Sequence, residues 1–220
     1  MEDKVINTVI FDMDGVLIDS EKFWVQAEKE VFTSVGAIWS DEIAEQTKGK
    51  TTRAVTELWF DLYPWEGQSI EEVEQAVIDR VDELIRTEGE IKKGVREVLD
   101  QLQTENIKVG LATNSPDSLI NTVLERLEIR TYFQTIVSAL HVENGKPAPD
   151  VYLRAATNLD STPKECLVVE DSFTGITAGK AAGMTVLTVP DPIEYNDAKF
   201  DIADYKAISL KDFDVMNVIR

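Results

Sequence analysis

Val5–Ser20 reads VINTVIFDMDGVLIDS, and this stretch decides the fold. Its first half, Val5–Phe11, is apolar and rich in β-branched residues, which predicts a buried strand. Two aspartates, Asp12 and Asp14, follow directly. Because side chains at i and i+2 of a strand point the same way, the two carboxylates should repel each other. A divalent cation or a proton on one carboxylate would relieve this repulsion, and a solvated acidic turn is the remaining interpretation.

Four later apolar runs also predict strands, and amphipathic helices lie between them. Apolar residues recur with helical spacing in residues 94–105 and in residues 116–128. This alternation predicts an α/β fold with a Rossmann-like three-layer αβα core, in which helices cover both faces of a parallel sheet. Ligands bind such sheets at the carboxyl ends of the strands. The four runs are Lys108–Ala112, Thr135–Ser138, Cys166–Val169 and Thr185–Val189.

The alternation is interrupted after the first strand, because residues 21–88 contain no convincing strand. Ser69 and Glu72 have the spacing of a capping box, and an amphipathic helix follows them. Glu21–Val35 has a helical pattern as well. The simplest interpretation is a small all-helical domain inserted after the first strand. We therefore expect a core of residues 1–19 and 89–220 and an insert of residues 20–88.

The composition fits a globular protein and argues against two classes of partner. With 220 residues and 43% hydrophobic content, the chain can build one large core or a core with an insert. Its net charge of −19 argues against binding to nucleic acid or to an anionic membrane through a basic surface. The single cysteine, Cys166, lies in an apolar run and predicts a buried thiol. With no apolar leader and no membrane-spanning run, we expect a cytoplasmic monomer.

Polar side chains follow the predicted strands at the end where ligands are expected. Thr113 and Asn114 precede a helix whose free N–H groups could bind an anion, although an ordinary helix cap is the alternative. Lys146 lies in a segment whose prolines fix the shape of the backbone. Glu170 and Asp171 form a second carboxylate pair, or else a solvated loop. Because every one of these strand ends carries such groups, a shared site is favoured.

The order and spacing of four short segments resemble the haloacid dehalogenase superfamily of phosphotransferases. The resemblance covers the whole chain. Each segment alone is a weak signal, but all four in this order are a specific one. The helical insert resembles the small cap of the superfamily's first subclass, which selects the substrate. The segments are DMDG (residues 12–15), ATNS (112–115), GKPAPD (145–150) and VVEDS (168–172).

The resemblance implies a role for each matched residue. Asp12 would be the nucleophile that forms an aspartyl-phosphate. Asp14 would protonate the leaving group and then activate the attacking water. Thr113, Asn114 and Lys146 would bind the oxygens of the transferred phosphoryl group.

The resemblance also implies Mg²⁺ as the cofactor. Its ligands would be Asp12, Asp171 and the backbone carbonyl of Asp14, with Glu170 close by. The ion and Lys146 would supply the positive charge that phosphoryl transfer needs in an acidic pocket.

Three functions are compatible with these signatures. A sugar-phosphate phosphatase similar to the 2-deoxyglucose-6-phosphate and hexitol phosphatases is favoured over a β-phosphoglucomutase. Such mutases usually carry a cap histidine where this chain has Trp24, and a cap arginine one place before Arg53. A sugar-phosphate-binding protein without turnover would need a broken signature, and all four are intact. We therefore expect a Mg²⁺-dependent phosphatase whose partner is a small phosphorylated sugar or polyol.

Residues of the insert are the candidates for choosing the substrate. Glu21 and Trp24 lie where the chain enters the insert, and Arg53 lies in a later loop of the insert. We expect these three side chains to contact the substrate, although a solvated loop is the alternative for Arg53. Trp59 and Trp65 are expected to pack inside the insert.

Overall fold

The central element of the fold is a parallel sheet. The computed structural model describes residues 6–219, and within them the strands are β1 (Thr8–Phe11), β2 (Lys108–Thr113), β3 (Thr135–Ser138), β4 (Cys166–Glu170), β5 (Thr185–Thr188) and β6 (Tyr205–Lys206). They form one sheet in the order β3-β2-β1-β4-β5-β6, and all of the pairs are parallel. β1 therefore lies inside the sheet, between β2 and β4. The predicted α/β class with a Rossmann-like parallel sheet is confirmed.

The predicted strands agree closely with the observed ones. The bounds of β2 to β5 differ by at most one residue from the apolar runs of the sequence. Val5, the predicted start of the first strand, lies outside the described residues. The sequence pattern does not predict β6, because its two residues, Tyr205 and Lys206, form no apolar run.

Helices surround the sheet and continue beyond it. In the described part of the chain they are α1 (Glu21–Ser34), α2 (Asp41–Thr47), α3 (Thr52–Leu62), α4 (Ile70–Glu88), α5 (Val95–Thr104), α6 (Asp117–Arg126), α7 (Asp150–Asn158), α8 (Phe173–Ala181) and α9 (Met216–Ile219). The two periodic segments of the sequence correspond to α5 and α6. Across residues 6–219, none of the helices has both the length and the apolar character that a membrane span requires.

The core has three layers, because successive side chains of a strand point to opposite faces. In β1, Val9 and Phe11 pack in an apolar cluster with residues of α5 and α6. Ile10 packs in a second cluster with residues of α7 and α8. Cys166 belongs to this second cluster, where burial raises the pKa of its thiol to about 11. The predicted three-layer core and the buried thiol are therefore both present.

Helices α1 to α4 form the all-helical insert, called the cap below. The expected capping box opens α4: the Ser69 N–H donates to Glu72 Oε2 at 2.7 Å, and the Glu72 N–H donates to Ser69 Oγ at 3.2 Å. Trp59 is fully buried and stacks on Phe32 with ring centroids 5.3 Å apart. Trp65 stacks on the same phenyl ring at 6.4 Å. Both tryptophans fill the interior of the cap, as the packing interpretation expected.

Two chain crossings join the cap to the sheet layer. Ile18, after β1, pairs with Ile91, which follows α4. Beside this pair, the Lys92 backbone N–H donates to the Leu17 carbonyl at 3.0 Å, and Lys92 Nζ donates to the carbonyl of Gly15. The crossings hold the cap next to the carboxyl end of β1. The domain boundaries at residues 20 and 88 stay a prediction.

Candidate active site

A lysine and two carboxylates meet at the carboxyl ends of β1 and β4. Asp12 follows β1, Glu170 ends β4, and Lys146 comes from the loop before α7. Lys146 Nζ donates to Asp12 Oδ1 at 2.6 Å and to Glu170 Oε1 at 2.7 Å. Only 6% of Lys146 is exposed. Burial by itself would lower the pKa of Lys146, but the two carboxylates raise it above its usual range, so the lysine stays charged.

Glu170 is fixed through both of its carboxylate oxygens. The Tyr152 hydroxyl donates to Oε1 at 2.6 Å, and the Ser172 backbone N–H donates to Oε2 at 3.1 Å. Helix α8 approaches so closely that a Cβ at Gly175 would lie 1.7 Å from Oε1. Because its oxygens are already engaged by these groups, Glu170 is well suited to holding Lys146 in place.

Three carboxylates at this edge of the sheet could hold a metal ion. Oxygens of Asp12, Glu170 and Asp171 all lie within 4.8 Å of one another. Asp171 packs on Gly15, which has a φ of +71°, and a Cβ there would lie 1.7 Å from Asp171 Oδ2. Burial raises the pKa of Asp12 to about 7, although the charge of Lys146 opposes this rise. Burial also raises the pKa of Asp171 well above its usual range, and repulsion from Glu170 adds to the rise. Three clustered carboxylates carry more negative charge than Lys146 alone can balance, and such a set of oxygens fits a hard divalent cation such as Mg²⁺.

Asp14 is held by hydrogen bonds from both the sheet layer and the cap. Ser20 Oγ donates to Asp14 Oδ1 at 2.6 Å, and the Trp24 indole Nε1 donates to the same oxygen at 3.0 Å. Ser115 Oγ, which follows β2, donates to Asp14 Oδ2 at 2.6 Å. Since Trp24 lies on α1, the cap itself orients this carboxylate.

Thr113 ends β2 and Asn114 follows it, and their side chains have different surroundings. The side-chain Nδ2 of Asn114 donates to the Gly49 carbonyl at 2.8 Å, and its Oδ1 accepts the Lys146 backbone N–H at 2.8 Å. This amide therefore bridges the cap to the Lys146 loop. Thr113 Oγ1 accepts the Ser115 backbone N–H at 3.1 Å. Both residues line the cavity described next, but the side chain of Asn114 is occupied by protein partners.

A cavity of about 460 Å³ lies between the cap and the carboxyl end of the sheet, and Thr113, Asn114 and Asp171 are among the residues that line it. Pockets of this size hold small molecules. Asp12, Asp14 and Lys146 lie on its sheet side. Two of the predicted substrate-binding residues, Glu21 and Trp24, line it from α1. The candidate reacting groups therefore lie on the sheet side of the cavity, and residues of the cap form its other side.

Arg53, the third cap residue predicted to contact substrate, is not brought to this cavity. Its guanidinium binds Glu71 at 2.6 Å and Glu74 at 2.7 Å, both on α4. The charge of Arg53 is thus paired within the cap. Arg53 lies in the first turn of α3 and not in a loop as expected, whereas Lys48 and Lys50, which precede α3, do line the cavity. The substrate contact predicted for Arg53 receives no support from this geometry.

Lys48 links the cap to the sheet layer by ion pairs at the edge of the cavity. Its Nζ lies 2.6 Å from Glu21, 2.8 Å from Glu45 and 3.6 Å from Glu194. Glu194 belongs to the loop after β5 and also pairs with Lys199. Partly exposed ion pairs of this kind are individually weak. Together they favour the closed arrangement of the cap over the sheet.

Glu28 lines the cavity from α1 and is not identified by any sequence motif. Only 8% of it is exposed. Among residues 6–219, no side chain or backbone group forms a hydrogen bond or an ion pair with its carboxyl group. Burial raises its pKa to about 8. Helical spacing could have indicated this position, because Glu28 lies four residues after Trp24 and seven after Glu21 and therefore shares a face of the predicted helix with them.

Replacing Glu28 by glutamine should make the free energy of unfolding less sensitive to pH. The raised pKa means that the folded protein keeps the proton while the unfolded chain loses it above pH about 4.5. The contribution of Glu28 to wild-type stability therefore falls as pH rises from about 4.5 to about 8, by up to about 1.4 kcal/mol per pH unit. Between pH about 5 and pH about 8, the free energy of unfolding of Glu28→Gln should therefore decrease by about 3–4 kcal/mol less than that of wild type. Urea unfolding at both pH values measures the difference, and the exposed cap residue Glu66, changed to glutamine, is the control.

Residues 9–189 match the family model described as haloacid dehalogenase-like hydrolase. The chain belongs to this family. The match begins within β1 and ends just after β5, so that it includes the cap and all of the strand ends that bound the cavity. The predicted membership in the haloacid dehalogenase superfamily is confirmed, and so is the predicted enzyme class, a phosphoric monoester hydrolase.

Relatives of this haloacid dehalogenase-like hydrolase include enzymes with two different names. Hexitol phosphatase B of Escherichia coli (strain K12) is 38% identical over 216 residues, which are 97% of this chain and 97% of the relative. Beta-phosphoglucomutase of Bacillus subtilis (strain 168) is 32% identical over 190 residues, 84% of this chain and 83% of the relative. The crystal structure of CbbY from Rhodobacter sphaeroides in complex with phosphate has a TM-score of 0.85 at 22% identity, covering 94% of this chain and 96% of that one. At that identity the likeness shows the fold.

Proposed function

We propose that the protein is a Mg²⁺-dependent phosphatase of small sugar phosphates, of the hexitol or 2-deoxyhexose type, that works through an aspartyl-phosphate on Asp12. One observation carries this proposal. Asp12 directly follows a central strand, its Oδ1 binds Lys146, it belongs to an acidic cluster, and it lines a cavity that the cap encloses. A buried carboxylate that faces a small-molecule cavity beside a charged lysine is suited to attack a phosphoryl group.

The residues divide the chemistry between two steps. In the first, an oxygen of Asp12 attacks phosphorus, the bond from phosphorus to the ester oxygen breaks, and Asp14 donates a proton to the departing alcohol. In the second, Asp14 takes a proton from a water molecule as that water attacks the aspartyl-phosphate. Asp12 is released as a carboxylate and phosphate leaves. Lys146 balances negative charge on the phosphoryl oxygens in both steps.

The acidic cluster supports Mg²⁺ as the cofactor. Asp12, Asp171 and the backbone carbonyl of Asp14 would hold the ion, while the engaged oxygens of Glu170 suit it to holding Lys146. When bound, the ion would neutralise negative charge on the phosphate and on the carboxylates around it. The family generally uses Mg²⁺, which agrees with this assignment.

The sugar phosphate is supported by the relatives and by the cavity. A relative 38% identical over 97% of the chain is named hexitol phosphatase B. Another, from Thermotoga maritima, is named phosphorylated carbohydrates phosphatase and is 29% identical over 98% of the chain. The polar side chains that line the cap side of the cavity suit a ligand rich in hydroxyl groups.

A screen for phosphate release tests the proposal. The substrates are hexose, 2-deoxyhexose, hexitol and pentitol phosphates, with nucleotides and pyrophosphate as other classes, each with and without Mg²⁺. We expect hexitol or 2-deoxyhexose phosphates to have the highest kcat/KM. Turnover of nucleotides or pyrophosphate alone would contradict the assigned substrate class.

A β-phosphoglucomutase is the second candidate, because a relative of that name is 32% identical over 84% of the chain. Trp24 argues against it, since the indole N–H is a donor only and cannot relay a proton as a histidine does. The deciding assay supplies β-glucose 1-phosphate with a trace of the 1,6-bisphosphate. Free phosphate is the expected product, and rapid formation of glucose 6-phosphate without phosphate release would favour the mutase.

Removal of the metal should abolish activity. Chelation with EDTA leaves the acidic cluster without its counter-charge, so Asp12 and the substrate phosphate repel each other. Phosphate release should fall by at least about a hundredfold and return when Mg²⁺ is added. Asp171→Asn should raise the Mg²⁺ concentration needed for half-maximal rate, whereas Asp160→Asn, on a surface turn away from the site, should leave it unchanged. Full activity after chelation would rule out the metal.

Replacing Trp24 by phenylalanine should lower kcat more than it raises KM. The variant keeps an aromatic ring in the cavity wall but loses the hydrogen bond that orients Asp14. Loss of one such hydrogen bond corresponds to about a tenfold slower turnover. Trp59→Phe is a matched control, because the buried Nε1 of Trp59 has no hydrogen-bond partner among the described residues. An effect confined to KM would mean that Trp24 contacts only the substrate.

A further inference from the structure

Helix α1 turns one face towards the cavity, and each position on it has distinct surroundings. Glu21, Trp24, Val25 and Glu28 line the cavity and follow helical spacing. Glu21 is ion-paired with Lys48, and Trp24 is bound to Asp14. Glu28 differs from both, because none of the described residues pairs with its carboxyl group. A cavity-lining carboxyl that is more than nine-tenths buried and has no partner among the described residues is available to a ligand that enters the cavity.

The position of Glu28 relative to the reacting groups follows from helix geometry. Trp24 reaches Asp14 directly. Glu28 lies four residues further along α1, a rise of about 6 Å. A phosphate ester whose phosphoryl group is at Asp12 would extend its carbon chain past Asp14 and Trp24 towards Glu28. The carboxyl group therefore faces the organic part of a substrate and is remote from the phosphoryl group.

We propose that Glu28 determines substrate specificity by hydrogen-bonding hydroxyl groups on the carbon chain of the substrate; this inference rests on the proposed phosphatase function. A neutral carboxyl group both donates and accepts hydrogen bonds, and so does a hydroxyl group. A polyol would therefore satisfy the buried group fully, whereas an alkyl chain would leave it unpaired. The substrate class that this site selects is a phosphate ester of a polyhydroxylated chain.

The physical chemistry of the cavity supports a neutral carboxyl at this position. Burial alone accounts for the raised pKa of Glu28, about 8, so its proton is retained near neutral pH. An apolar wall at Val25 lies beside it. Sites that hydrogen-bond a substrate hydroxyl discriminate strongly against analogues that lack it, because a buried polar group is then left without a partner. One residue can thus account for a large preference.

Two phosphate esters of equal chain length test the inference. Hexitol 6-phosphate carries hydroxyl groups along its chain, whereas n-hexyl phosphate carries none. For wild type, kcat/KM should favour the hexitol ester. In Glu28→Leu, the ratio of the two kcat/KM values should fall by at least about tenfold, because the buried carboxyl group is gone. Glu28→Gln should reduce the ratio less, since an amide still donates and accepts hydrogen bonds.

Controls separate this inference from the proposed function. Glu66→Leu removes an exposed carboxyl group of the cap and should leave the ratio unchanged. Equal losses on both esters in Glu28→Leu, or no change in the ratio, would overturn the role of Glu28. If wild type hydrolyses neither of these esters and no 2-deoxyhexose phosphate, the proposed function fails. Calorimetric binding of hexitol 6-phosphate and inorganic phosphate to Asp12→Asn, with and without Glu28→Leu, then decides on Glu28 independently of turnover. Equal affinity for the hexitol ester in both proteins would overturn the inference.

Discussion

Asp12→Asn should abolish phosphate release while the protein stays folded. Asparagine has nearly the shape of aspartate but is a poor nucleophile, so no covalent intermediate can form. Asp12 is almost fully buried, and its neighbours are held by contacts that do not involve it, such as the bond between Lys146 and Glu170. We expect kcat to fall by at least about a thousandfold. Steady-state phosphate release measures the loss, and circular dichroism with thermal unfolding checks the fold.

A matched substitution and a second measurement sharpen this test. Asp61→Asn, on the exposed side of α3, changes the same chemical group outside the cavity and should keep full activity. Rapid quenching of wild type with labelled substrate should trap label on the protein, and Asp12→Asn should trap none. Retention of more than a few per cent of the wild-type rate by Asp12→Asn would contradict an aspartyl-phosphate mechanism.

Lys146→Met should both inactivate and destabilise the protein. The lysine bridges Asp12 and Glu170, and all three side chains are buried. Methionine fills similar space but leaves two acidic groups without their cation. Breaking a buried ion pair on one side costs about 3–5 kcal/mol of unfolding free energy. Urea unfolding near neutral pH measures this cost, and phosphate release should fall in parallel because phosphoryl oxygens lose their positive partner.

A double substitution shows where that destabilisation comes from. Adding Glu170→Gln to Lys146→Met removes one of the unpaired acids, so the double variant should lose less stability than the sum of the two single changes. Lys29→Met, on the exposed side of α1, should change stability little. An unchanged free energy of unfolding in Lys146→Met would mean that Lys146 is not paired with these carboxylates in solution.

Much of the architecture follows from local patterns. The apolar runs are strands because each is buried by helices on both faces, and the segment VVEDS ends β4 where it was expected to. The spacing of Asp12 and Glu170 at neighbouring strand ends is enough to predict the acidic cluster. β6 escapes prediction because a two-residue edge strand depends on its neighbour β5 and not on its own sequence.

The rest of the site depends on contacts between distant segments, which single motifs do not encode. Asp14 is bonded to Ser115, 101 positions away, and Asn114 reaches Gly49 of the cap. Arg53 has the charge of a substrate contact but finds acidic partners on α4, so its role cannot be inferred from type and position alone. Glu28 shows the opposite case, an acidic residue on a helix that looks solvated in the sequence and is buried by the folded cap.

The interior position of β1 in the sheet has a consequence for how the enzyme loses its function. Its backbone is hydrogen-bonded to β2 on one side and to β4 on the other, and its side chains are fully buried. Amide protons of Val9 to Phe11 should therefore exchange with solvent deuterium only when the whole molecule opens, whereas the cap can open locally. Local opening of the cap then leaves Asp12 in its position after β1. Asp12 should therefore lose its position only when the sheet unfolds globally, whereas local opening of the cap should stop turnover earlier and reversibly.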